Sequence, residues 1–239
     1  MFKPWFLLFS TLSLPGCAGP KTQAADPAVS SSNAITDIQV LFTAIREKKT
    51  TEVTRILEGG GILLDPPLEP GRVNKPLAYA ARWGDLESVK VILTHGADIN
   101  GVGTYASSPL IYALESGNKD IATFLMEQGA DVNQPNAMGI TPFIGISGGT
   151  DRALVQLAYS KGGEINTAYP LLTSGDGSHN STALQFAIKR GAIESVRYLL
   201  ENGGDLSNAH FDGKTCEELA RENGDTALIE LIQTYSSGG

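Results

Sequence analysis

The sequence predicts an all-α repeat solenoid of about six helix-turn-helix units, each entered through a connecting finger. Three observations predict it. Prolines, glycines and asparagines recur every 33 residues; apolar residues between them fall at helical spacing; and the glycines stand where helices must end.

The period is clearest between "KPLAYAARWGDLESVKVILTHGADIN" and "SPLIYALESGNKDIATFLMEQGADVN". Pro76 and Pro109, Gly84 and Gly117, Gly96 and Gly129, and Asn100 and Asn133 are each 33 apart, and Pro142, Gly162 and Asn166 continue the series. Proline suits a first helical position because its missing N–H has no partner there. Ala80, Ala81, Ala113 and Ala187 are small enough to let paired helices approach. Gly84, Gly117 and Gly191 permit a tight turn between helices, and Gly96, Gly129 and Gly203 permit a left-handed stop. Val89, Ile92 and Leu93 give the second helix one apolar stripe, which a single unit cannot bury alone.

In chain order, the first copy is "VLFTAIREKKTTEVTRILEGG", offset by 36, with Lys48 where a turn glycine belongs. Two clear copies follow. In the fourth, Gly148 and Gly149 weaken the first helix, at about 1 kcal/mol per interior glycine; they predict a softer unit or a close backbone approach to a partner. The fifth is "STALQFAIKRGAIESVRYLLENGGDLS" and the sixth "KTCEELARENGDTALIELI", whose Glu217 and Glu218 suit a polar cap. Sixteen positions separate Asn166 from Thr182 against eight between Asn133 and Thr141, so the fifth finger carries an eight-residue insertion. These residues, Pro-Leu opening one helix and Gly-Ala-Asp-x-Asn closing the next, resemble the ankyrin repeat over about residues 35–235, which implies an ankyrin stack with β-hairpin fingers.

The N-terminus reads as an address. Lys3, the apolar run "WFLLFSTLSL" and small residues before Cys17 describe a signal peptide over residues 1–16. "LPGC" resembles the bacterial lipobox, which implies lipidation of Cys17, and Ala18 behind it implies sorting to the outer membrane, facing the periplasm. Residues 17–34, rich in Ala, Ser and Pro, then form a flexible tether reaching about 20–25 Å, with the repeat domain over 35–239.

Charge and chemistry narrow the function. Removing the signal takes the formal charge from −8 to −9, unsuited to nucleic acid. His95, His179 and His210 fall in different units without carboxylates or cysteines at ligand spacing, which excludes an obvious metal site. No phosphate loop or nucleophile elbow is present. Cys216 stands at a helix start as a structural thiol. The reading is therefore a monomeric binding protein, not an enzyme, with no cofactor.

The ankyrin resemblance implies binding through finger tips and the exposed ends of the first helices. Those positions are Arg82, Trp83, Glu115, Lys189 and Arg190 on helix ends, and Tyr105, Met138, Ile140, Tyr169, His179, Phe211 and Asp212 on fingers. Trp, Tyr and Arg are enriched at interface hot spots. Tyr79 and Tyr112 read as packing residues. Joined to a lipid anchor, this architecture resembles the ankyrin lipoproteins that act as immunity proteins against phospholipase effectors of the type VI secretion system. The implied partner is a secreted phospholipase toxin, inhibited by occlusion. The alternative is a periplasmic scaffold supporting a stress-defence enzyme such as a catalase.

Overall fold

Six units follow one another in the computed structural model, which describes residues 31–65, 75–171, 179–207 and 214–237. The units are α1 (Ser31–Arg46) with α2 (Thr50–Glu58), α3 (Pro76–Trp83) with α4 (Leu86–Thr94), and α5 (Pro109–Glu115) with α6 (Lys119–Glu127). They continue with α7 (Pro142–Ser147) and α8 (Arg152–Ser160), α9 (Ala183–Arg190) and α10 (Ile193–Glu201), and α11 (Cys216–Asn223) and α12 (Thr226–Ser237). The first helices pack on one another in one row and the second helices in another. α1 starts at Ser31, inside the segment expected to be tether.

Local chemistry explains the first-helix starts. Ser108 and Thr141, each just before a proline, accept the amides of Ile111 and Ile144 on their hydroxyl oxygens at 3.4 and 3.1 Å. Thr182 and Thr215 form reciprocal capping boxes with Gln185 and Glu218. At the turn between helices Gly117, Gly191 and Gly224 are left-handed, and Lys48 holds the same conformation at φ 56°. Gly84 is different: its φ is −85°, and it is needed because a Cβ there would lie 2.7 Å from the Ala80 carbonyl.

One continuous core runs through the stack, with Leu41, Leu77, Leu110, Phe143 and Leu184 repeating the same inward position on successive first helices. Gly148 of the fourth unit, expected to mark softness or a close approach to a partner, has a packing reason within the chain. A Cβ on Gly148 would meet the Phe186 ring at 2.6 Å, so the close approach is to the neighbouring unit of the same chain.

Asparagines bolt the units together. Asn133 donates from Nδ2 to the Gly162 carbonyl at 2.8 Å and accepts the Glu164 amide on Oδ1 at 3.2 Å. Asn166 repeats the pair with Gly203 and Asp205, and Asn100 accepts from Asp131. The aspartate two residues earlier accepts the backbone amide of Asn100 or Asn133 itself, which holds each turn in place.

The fingers differ from expectation. Among the described residues, only the inserted finger has a two-stranded ladder: β1 (Tyr169–Leu171) pairs antiparallel with β2 (His179–Ser181). The third and fourth are turns, closed by Gly103 N–H to the Ser107 carbonyl and Asn136 N–H to the Ile140 carbonyl, and joined at their tips by the Ala137 amide to the Tyr105 carbonyl.

Candidate functional site

The described side chains of the expected binding positions fall into three groups. The first spans the second, third and fourth units and begins at the end of α3. The Arg82 guanidinium lies 5.0 Å from the Trp83 ring centre and 5.6 Å from that of Tyr112 on α5. Such contacts contribute about 0.5–1 kcal/mol at exposed sites, and here they lay the arginine along the face. Trp83 keeps 51% of its surface open. Glu115, at the end of α5, is exposed as a residue, yet desolvation pushes its carboxyl pKa up, against the opposing pull of Arg82.

Tyr112 links the helix to the finger. Its ring is buried and its hydroxyl donates to the Thr104 carbonyl at 2.8 Å. The adjoining tip folds Tyr105 (φ 58°, ψ 27°) and Ala106 (φ 53°) between Thr104 and Ser107, whose amide donates to the Thr104 carbonyl at 3.3 Å. Two successive positive φ values are the pattern of a type I′ turn, which Asn-Gly satisfies freely. With Tyr and Ala it costs on the order of 1–2 kcal/mol per residue. The Tyr105 side chain that results is 71% exposed.

The fourth finger makes its tip without that cost. Asn136 accepts the amides of Met138 and Ile140 on its side-chain oxygen at 2.9 and 3.0 Å, and Gly139 takes the left-handed position. Ala137 of this tip donates to the Tyr105 carbonyl at 2.8 Å. A connected path thus runs from Trp83 through Arg82, Tyr112 and Tyr105 to Met138, itself 41% exposed.

The second group is Lys189 and Arg190 at the end of α9, both exposed, with Arg190 5.8 Å over the Phe186 ring. It is two units away from α5, and it presents charge where the first group presents rings. The third group turns inward. Ile140 is half-buried against the core, and Tyr169 is half-buried with its hydroxyl bonded to Glu164 at 2.9 Å. Burial and that carboxylate push the Tyr169 phenol up to about 12. The backbone of His179 lies in β2. Phe211, Asp212, His210 and Cys17 lie outside the described residues.

Sequence reasoning missed one property of this face. Residues 99–114 and 132–150, which hold both finger tips and most of α5 and α7, contain no Asp, Glu, Lys or Arg. Counting charge by unit, not over the whole chain, finds it. Among the described residues, no group of three or more His, Cys, Asp or Glu is placed to hold a metal, and no helix is long and apolar enough to cross a membrane.

The family model for ankyrin repeats in three copies matches residues 31–136, and the model for a single ankyrin repeat matches 179–210. The two matches cover the first three units and the fifth. The fourth unit, shortened at α7, and the polar sixth lie outside them. No curated protein matches the chain.

Proposed function

Because the chain belongs to the ankyrin-repeat family, we propose that it is a lipid-tethered binding protein that neutralises a secreted phospholipase by covering its catalytic cleft or membrane-docking face. The observation that carries the binding part is the connected face from Trp83 to Met138. Exposed rings beside a pre-positioned arginine are what interface hot spots are made of, and a stable complex of standard size buries about 1,600 Å². The periplasmic and lipase parts rest on the "LPGC" stretch and the anchored-repeat architecture. Acylation of Cys17 by more than one chain would hold the domain at the membrane that such a toxin attacks. No residue of this chain need do chemistry: occlusion is stoichiometric.

The experiment is affinity capture of the full chain from crosslinked, detergent-solubilised envelopes, followed by mass spectrometry and lipase assay of the purified pair. A lipase recovered near one-to-one, and silent in the complex, is the expected result. A lipase that stays fully active rejects neutralisation. Recovery of a catalase or peroxidase instead turns the reading to a scaffold. Cys17→Ser moves the protein from the membrane to the soluble fraction, and unchanged membrane association would reject the anchor.

A further inference from the structure

An asparagine followed by glycine carries a reactive amide, because the glycine nitrogen reaches the side-chain carbonyl carbon without a side chain of its own in the way. The sequence has three such pairs: Asn100–Gly101, Asn202–Gly203 and Asn223–Gly224. The fold holds two of them firmly. The Asn100 side chain accepts the Asp131 amide at 2.8 Å, and Gly101 is buried with its own amide on the Asp98 carbonyl at 3.0 Å. The Asn202 side chain donates to the Tyr198 carbonyl at 2.8 Å, while Asn166 holds the Gly203 carbonyl at 2.8 Å. Asn223 is held least. It is exposed, its Nδ2 donates to the Lys189 carbonyl at 3.4 Å, and the exposed Gly224 follows it; that distance lies beyond the usual range of an N–H···O bond. The Gly224 amide is on the Ala220 carbonyl at 3.2 Å, so the reaction waits on opening of the last turn of α11. Among the described residues the sixth unit packs on the fifth alone, and a unit with one neighbour opens most readily.

We propose that Asn223 is a modification site, where the chain deamidates through its own backbone and releases a tie between the fifth and sixth units. The Gly224 nitrogen gives its proton to hydroxide or water and bonds to Cγ of Asn223. The Cγ–Nδ2 bond breaks, and ammonia leaves. Water then opens the succinimide ring to aspartate or isoaspartate. One water is consumed and one ammonia released, with no oxidant or reductant. The amide that leaves is the one that bonds Lys189, and the carboxylate in its place has no proton to donate. Asn118 makes the matching tie between the second and third units, to the Ala81 and Arg82 carbonyls at 2.9 and 3.2 Å. Lys119 follows it, and that side chain hinders the same attack. The labile form of the tie stands at the last junction described.

The test ages the full chain for days at mildly alkaline pH, folded and in urea, and follows the three pairs by peptide mass spectrometry. Each folded rate is divided by the rate of the same pair in the unfolded chain. Asn223 is expected to be protected at least about fivefold less than Asn100 and Asn202. Equal protection at the three sites, or least protection at either of the others, overturns the proposal. Asn223→Asp carries one product from the start. It and the aged chain should exchange amide hydrogens faster in α11 and α12 than fresh wild type, with α5 and α6 unchanged. Exchange in Asn223→Asp indistinguishable from wild type would show that no tie is released.

Discussion

The amide of Ala137 donates to the carbonyl of Tyr105 at 2.8 Å, so two successive finger tips are joined at the backbone while the Tyr105 ring stays in solvent. The bond ties the backbone of one tip to the next, while the Tyr105 side chain itself is left 71% exposed. It makes the pair of tips, not the single finger, the structural unit.

Relief of backbone strain gives the first prediction. Ala106→Gly removes one left-handed non-glycine residue, and Lys48→Gly removes another at the turn where Gly117, Gly191 and Gly224 stand in later units. Each is expected to stabilise the protein by about 1 kcal/mol, the strain outweighing the added freedom of the unfolded chain. Urea denaturation checks this. A lower midpoint for either variant would contradict the conformations described.

Glycines of the fourth unit divide by their surroundings. A Cβ on Gly163 would lie 2.4 Å from the Phe143 ring, and one on Gly148 would lie 2.6 Å from Phe186. Alanine at either position is expected to cost about 1–3 kcal/mol through overpacking. Gly145, inside α7 with nothing within 4 Å of its Cβ position, should instead gain up to about 1 kcal/mol as alanine. Thermal melts of the three variants must show opposite signs.

Asn133 tests the coupling between units. Asn133→Ala removes both bonds to the following unit and is expected to cost about 1–2 kcal/mol. In a stack held by nearest-neighbour contacts the loss falls on one junction. Hydrogen exchange should therefore quicken on both sides of that junction before it changes in α11 and α12. Uniform quickening along the chain would show that the units do not couple in this local way.

Glu115 sets a pH dependence. Desolvation raises its folded pKa above the ordinary carboxylate value of 4.5. A carboxyl raised in this way binds its proton more tightly when folded, so its contribution is full below the unfolded pKa and is lost as pH rises through the folded one. Glu115→Gln stays neutral throughout. It should stabilise the protein relative to wild type near pH 7 and not near pH 3.5. An equal difference at both pH values would remove the desolvation argument.

Cys216 is expected to be inert. It is 2% exposed at the start of α11, and burial pushes its thiol up to about 11. Its thiolate fraction at neutral pH is then on the order of one in ten thousand. In a Cys17→Ser chain, disulfide reagents should label Cys216 only under denaturing conditions. Rapid labelling of the folded chain would place the sulfur at the surface.

The repeating frame was legible in the sequence because its causes are local. Proline at a helix start, a threonine cap before it, glycine at a left-handed stop and Asp-x-Asn at a finger base each act within a few residues, so a period of 33 is visible without tertiary knowledge. The same reasoning found the exposed Trp83, Tyr105 and Met138 but also grouped with them the inward-facing Ile140 and Tyr169. It expected β-hairpin fingers, whereas among the described residues only the inserted finger forms strands and the third and fourth are turns.

The sequence by itself determined the stack: about six units, the turns between their paired helices, and which faces must be covered. Only the tertiary structure decided which side chains remain uncovered. Met138 and Ile140 are two residues apart on one finger and both apolar, yet one is 41% exposed and the other is half-buried against the core. The difference arises because burial depends on what the neighbouring units place alongside each side chain, and that neighbour lies some 30 residues away along the chain. Local propensity carries no record of it.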